Sequence, residues 1–100
     1  MNVTLSEWND LLTKAKALCE CMNAYGLNIK AKPYTLYNGH KGISFLVCDQ
    51  NGDVFQSYYS GAGTAMEIES SMYRNALRIK KECGCAAAVS YTHLTLPTKA

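Results

Sequence analysis

Two stretches of the chain repeat apolar residues at helical spacing, and the stretch between them alternates. Leu5, Trp8, Leu12, Ala15, Cys19 and Met22 step by three and four, and Leu11, Leu18 and Tyr25 widen the stripe. That is the period of a helix with one buried face. Thr4-Leu5-Ser6-Glu7 supplies a capping box at its start, with Val3 and Trp8 placed as a hydrophobic staple. Gly26 suits a left-handed residue after its end. A second helix follows from Ala65, Ile68, Met72, Ala76, Ile79 and Cys83, with Met66, Tyr73 and Leu77 beside them. Thr64-Ala65-Met66-Glu67 repeats the capping box, and Gly84 suits its end.

Between the helices the period falls to two. Leu27, Ile29 and Ala31 alternate with Asn28, Lys30 and Lys32 until Pro33 interrupts, which predicts a lead-in or an edge strand. Tyr34 to Tyr37 is β-prone, and Asn38 to Gly42 reads as a turn. Ile43 to Cys48 predicts a short apolar strand with Ile43, Phe45 and Val47 on one face. Asn51-Gly52 signals a hairpin, and Val54 to Tyr59 returns from it. Ser60-Gly61-Ala62-Gly63 then breaks the sheet. The expectation is an α+β fold of two layers, a three-stranded antiparallel sheet with two helices on one face, in the order α-β-β-β-α.

With 100 residues, 48% hydrophobic and 18% charged, the chain is one ordinary globular domain. The expected domain is 1–85, with 86–100 a tail outside it. Residues 89–100 resemble a translated sequencing-adaptor tail, so Tyr91 and His93 are set aside. A net charge of +2 is too mild to announce a nucleic-acid or membrane partner. No apolar run approaches the roughly 20 residues that span a bilayer. No signal peptide opens the sequence, so a cytoplasmic protein with free thiols is expected.

Candidate chemistry is sparse. Cys19-Glu20-Cys21 and Cys83-Gly84-Cys85 offer four thiols. Helical residues two apart diverge by about 200°, and structural zinc sites favour Cys-x-x-Cys, so no metal is expected. No cofactor motif occurs. His40 lies in a turn with no sequence tie to a cysteine, and no catalytic order of nucleophile and base is present; the expectation is not an enzyme. Gly61, Gly63 and Thr64 before the second helix form an anion-binding candidate through free amides.

Tyrosine is over-used. Tyr58 and Tyr59 are adjacent, so strand alternation turns one of them away from the core. Tyr37, His40, Lys41, Tyr58 and Tyr59 are therefore the candidate partner-contact residues.

The element order from Thr4 to Cys83 resembles the double-stranded RNA-binding domain. Pro33-Tyr34, Gly39-His40 with Phe45, and Gly61-Ala62-Gly63-Thr64 carry the resemblance. It implies the same topology and contact with RNA, through Lys30, Lys32, His40 and Lys41. The family's lysine cluster opening the last helix is replaced by Ala65, Met66 and Glu67. Phosphate contacts supply much of such affinity, so nucleic acid is the disfavoured alternative. The leading expectation is a small non-enzymatic binding module for a protein or small ligand. In type it resembles phage or mobile-element accessory proteins that inhibit a host-defence effector or sequester a signal. An open tyrosine-rich sheet would also favour a homodimer.

Overall fold

The computed structural model describes residues 2–61 and 63–83. Within them the order is α1 (Leu5–Asn23), β1 (Ile29–Thr35), β2 (Lys41–Cys48), β3 (Val54–Gly61) and α2 (Ala65–Glu82). The strands form one antiparallel sheet in the order β1-β2-β3. This is the α-β-β-β-α topology implied by the sequence. Gly84, Cys85 and the tail lie outside the described residues.

Both capping boxes are formed. The Thr4 hydroxyl accepts from the Glu7 amide at 3.1 Å, while the Glu7 carboxylate accepts from the Thr4 amide at 2.8 Å. Thr64 and Glu67 repeat the exchange at 3.2 and 2.9 Å. Each box satisfies two amides that a helix start leaves without partners. Val3 and Trp8 are both buried, as a staple requires. Gly26 has φ +93°, two residues past the C-cap Ala24 of α1.

Registers place three cross-strand rows beneath the helices: Ile29–Val47–Gln56, Ala31–Phe45–Tyr58 and Pro33–Ile43–Ser60. Phe45, Ile43 and Val47 are fully buried there against Leu11 and Met22 of α1 and Ile68, Met72 and Ile79 of α2. The stripe is narrower than its period suggests. Leu5, Tyr25, Met66 and Leu77 are each more than 65% exposed, because each helix meets the sheet along one side only.

The two hairpins share one construction. Leu36 and His40 close a loop of Tyr37-Asn38-Gly39, and Asp49 and Asp53 close a loop of Gln50-Asn51-Gly52. Each has glycine in the left-handed region, Gly39 at φ +85° and Gly52 at φ +88°. These are three-residue loops with glycine last, a common hairpin connection. The first is tighter than the Asn38–Gly42 turn expected from sequence, and it moves Lys41 and Gly42 into β2.

Pro33 sits inside β1, which is an edge strand. The Cys48 amide donates to the Asn28 carbonyl at 2.8 Å, so even-numbered residues of β1 face β2. Odd-numbered Pro33 turns its missing N–H to the open edge, where proline is tolerated. Three asparagines clamp the sheet margins. Asn23 binds both backbone groups of Ile29, Asn2 joins Lys41 to the Gly63 carbonyl, and Asn75 donates to the Tyr59 carbonyl and the Ser60 hydroxyl.

Candidate functional site

The sheet face away from the helices is uncovered. Its rows are Tyr34–Gly42–Gly61, Lys32–Ser44–Tyr59 and Lys30–Leu46–Ser57. The first row holds two residues without side chains beside a large one. Tyr59, one row below, fills the space. A Cβ built on Gly42 would meet Tyr59 Cζ at 2.6 Å, and one on Gly61 would meet it at 2.7 Å. The ring therefore lies over both glycines. It remains 46% exposed. Tyr34 lies beside it in a T-shaped pair, with ring centroids 6.1 Å apart and planes at 71°, a favoured aromatic geometry. Lys32 Nζ is 5.4 Å from the Tyr34 centroid, within cation–π range. β1, β2 and β3 contain no Asp or Glu, so the only charges at outward positions on this face are Lys30 and Lys32.

Tyr59 faces out, and Tyr58 faces in. Tyr58 is 4% exposed and lies opposite Phe45. Its hydroxyl donates to Glu82 Oε1 at 2.6 Å, and the Arg78 guanidinium lies 5.1 Å from its ring centre. Burial, then the bond to Glu82, pushes the phenol up to about 12. The same bond, with Arg78 nearby, holds the Glu82 carboxyl below its ordinary value. Tyr58 is thus a structural member of the core.

The other expected residues scatter. Tyr37 is fully exposed in the first hairpin loop, and His40 is half-buried at its close. Lys41 points to the helix side, where its Nζ bonds the Thr35 hydroxyl at 2.9 Å and lies 5.5 Å from the Trp8 ring centre. At Gly61, Gly63 and Thr64 the Thr64 amide already donates to Glu67, whose carboxylate lies over Gly63. The chain's own carboxylate holds the position an external anion would take. Tyr34 and Gly42 were absent from the sequence-derived site. The signal available was Tyr34 and Gly42 at one register position, but that pairing depends on where the first turn closes.

Cys19 is buried and Cys21 exposed, as opposite sides of a helix dictate. Burial pushes the Cys19 thiol up to about 11. Cys48 and Cys83 are also buried, and Cys83 Sγ lies 3.8 Å from the Tyr58 hydroxyl. Among the described residues no group of three His, Cys, Asp or Glu is placed to hold a metal ion. None of their helices is long and apolar enough to cross a membrane.

A groove of about 440 Å³ runs between the helices, lined by Glu7, Asp10, Glu69, Met66 and Tyr73 among others. Two of its acids, Asp10 and Glu69, are each bonded at 2.9 Å to Lys14. Those carboxylates, Glu69 foremost, hold the Lys14 ammonium well above the ordinary lysine value. Its acids are thus already committed, Glu7 to the cap and the other two to Lys14. Comparison with known proteins gives no significant match to any family model, curated protein or solved structure.

Proposed function

We propose that this chain is a non-enzymatic binding module whose working surface is the open face of the sheet. One observation carries the reading: the Tyr59 ring lies over Gly42 and Gly61, about half of the residue open to solvent, beside Tyr34 and two lysines on strands without acids. Rigid aromatics with a polar tip give large contact area at low entropic cost. The sheet backbone fixes their positions, while Tyr37 and His40 lie in the loop that follows β1. Lys41 and Tyr58 drop out of the contact set, because both serve the helix-covered side.

The test is capture from a bacterial lysate by the wild-type chain and by Tyr59→Ala and Tyr34→Ala, read by native mass spectrometry. A partner held by the wild type and lost by both folded variants supports the reading. A partner retained by both but lost on Tyr73→Ala would move the site to the groove between the helices.

A further inference from the structure

We infer that the open sheet face takes single-stranded nucleic acid, with a base stacked on Tyr59 and phosphates held by Lys30 and Lys32. This rests on the reading of that face as the working surface and names its ligand. The Tyr59 ring is the first observation. Gly42 and Gly61 leave room for the Tyr59 ring, so its hydroxyl end rests over the backbone while 46% of the residue stays exposed. A half-exposed aromatic ring held in place is what an unpaired base stacks on, whatever its sequence. Tyr34 adds a second aromatic ring beside it, with centroids 6.1 Å apart and planes at 71°.

Charge is the second, independent observation. Lys32 shares a cross-strand row with Tyr59, two strands away, which is about 10 Å at ordinary strand spacing. Lys30 follows two residues along β1, about 7 Å further. The platform thus has a line of positive charge along one side and no carboxylate on any strand. A polyanion that presents flat aromatic groups at intervals matches both features. A duplex does not, because its bases are already stacked on one another and its grooves offer only their edges. An acidic protein segment would satisfy the lysines but leave the platform unused.

Fluorescence anisotropy with three labelled 12-residue probes tests this: oligo-uridine, oligo-thymidine and a duplex RNA. The expected result is binding of one or both single strands at least tenfold tighter than the duplex. Stacking on one aromatic predicts that Tyr59→Ala weakens it by roughly 5- to 150-fold while Tyr59→Phe does not. Lys30→Gln with Lys32→Gln should lower the slope of log affinity against log salt by about 1.4, two contacts at about 0.7 each. Circular dichroism confirms that each variant is folded. Equal binding of duplex and single strand overturns the inference, as does single-strand binding indifferent to Tyr59→Ala. Failure of all three probes, with a protein partner still lost on Tyr59→Ala, overturns the nucleic-acid ligand and leaves the working surface in place. Binding indifferent to Tyr59 and to both lysines removes the surface as well.

Discussion

Replacing Gly42 with alanine puts a methyl group into the space that Tyr59 fills. The new Cβ would meet Tyr59 Cζ at 2.6 Å, and no real carbon tolerates that approach. The obstacle is the far end of a rotatable side chain, so the ring swings away and the backbone stays. At 46% exposure, and with roughly 200 Å² of surface on such a residue, the ring covers about 100 Å². At about 25 cal/mol per Å² that is about 2.5 kcal/mol as an upper bound. Lifting the ring from the first row forfeits about half of it, roughly 1–1.5 kcal/mol. Alanine returns about 0.5–1 kcal/mol, because glycine loses more backbone freedom on folding. The single variant should therefore be destabilised by only about 0.5 kcal/mol. In a Tyr59→Ala background the clash is gone, and the same change should stabilise by about 0.5–1 kcal/mol. The cycle, measured by urea unfolding followed by circular dichroism, should give a coupling of about 1–1.5 kcal/mol between the sites. Gly61→Ala is the control. Its Cβ would stand 2.7 Å from the Gly42 Cα, which cannot rotate away, so it should cost about 1–3 kcal/mol with or without Tyr59. Equal effects of Gly42→Ala in both backgrounds would refute the placement of the Tyr59 ring over Gly42 and the platform built on it.

Alkaline pH should unfold the protein through Tyr58 and Cys19. Both have folded values above their ordinary ones, about 12 against 10.0 and about 11 against 9.0. Their contribution is therefore complete below pH 9 and lost as pH rises towards 12, and Tyr58→Phe should flatten the loss above pH 10 in thermal melts. At neutral pH, maleimide labelling with peptide mapping should modify exposed Cys21 well ahead of buried Cys19, Cys48 and Cys83. Labelling of Cys19 at the rate of Cys21 would contradict its place in the core.

Capping and period made the two helices legible. Thr4 with Glu7 and Thr64 with Glu67 are local exchanges that need no tertiary partner, and the buried stripe follows from 3.6 residues per turn. The apolar face of β2 was legible for the same reason, since Ile43, Phe45 and Val47 alternate without interruption. The margins were not. Asn75 is one polar residue on an amphipathic helix until the fold brings the Tyr59 carbonyl to it. The tyrosine-rich surface was legible as a surplus, and its geometry was not, because the Tyr59 ring finds its place only where β2 and β3 set two glycines in one row.

Which tyrosine faces out was decided by a single residue. The second hairpin pairs Asp49 with Asp53 and Cys48 with Val54, yet Val47 pairs with Gln56. Phe55 is the extra residue of a β-bulge. Continued without it as numbered, the ladder would set Tyr58 opposite Ser44 on the open face and Tyr59 opposite Ile43 beneath the helices. One residue of slip exchanges the two faces, so alternation alone could place one tyrosine outside without saying which. Deleting Phe55 then has a definite outcome. Val54 stays opposite Cys48 and Gln56 opposite Val47, now in regular alternation, so Tyr59 should remain on the open face. Phe55 is 59% exposed, and its removal should change stability by no more than about 1 kcal/mol. Tetranitromethane with peptide mapping should nitrate Tyr59 and spare Tyr58 in both chains. Nitration of Tyr58 in the deletion variant, with the fold retained, would show that β3 shifts by one residue against β2 and that pairing carried from the turn does not set the register.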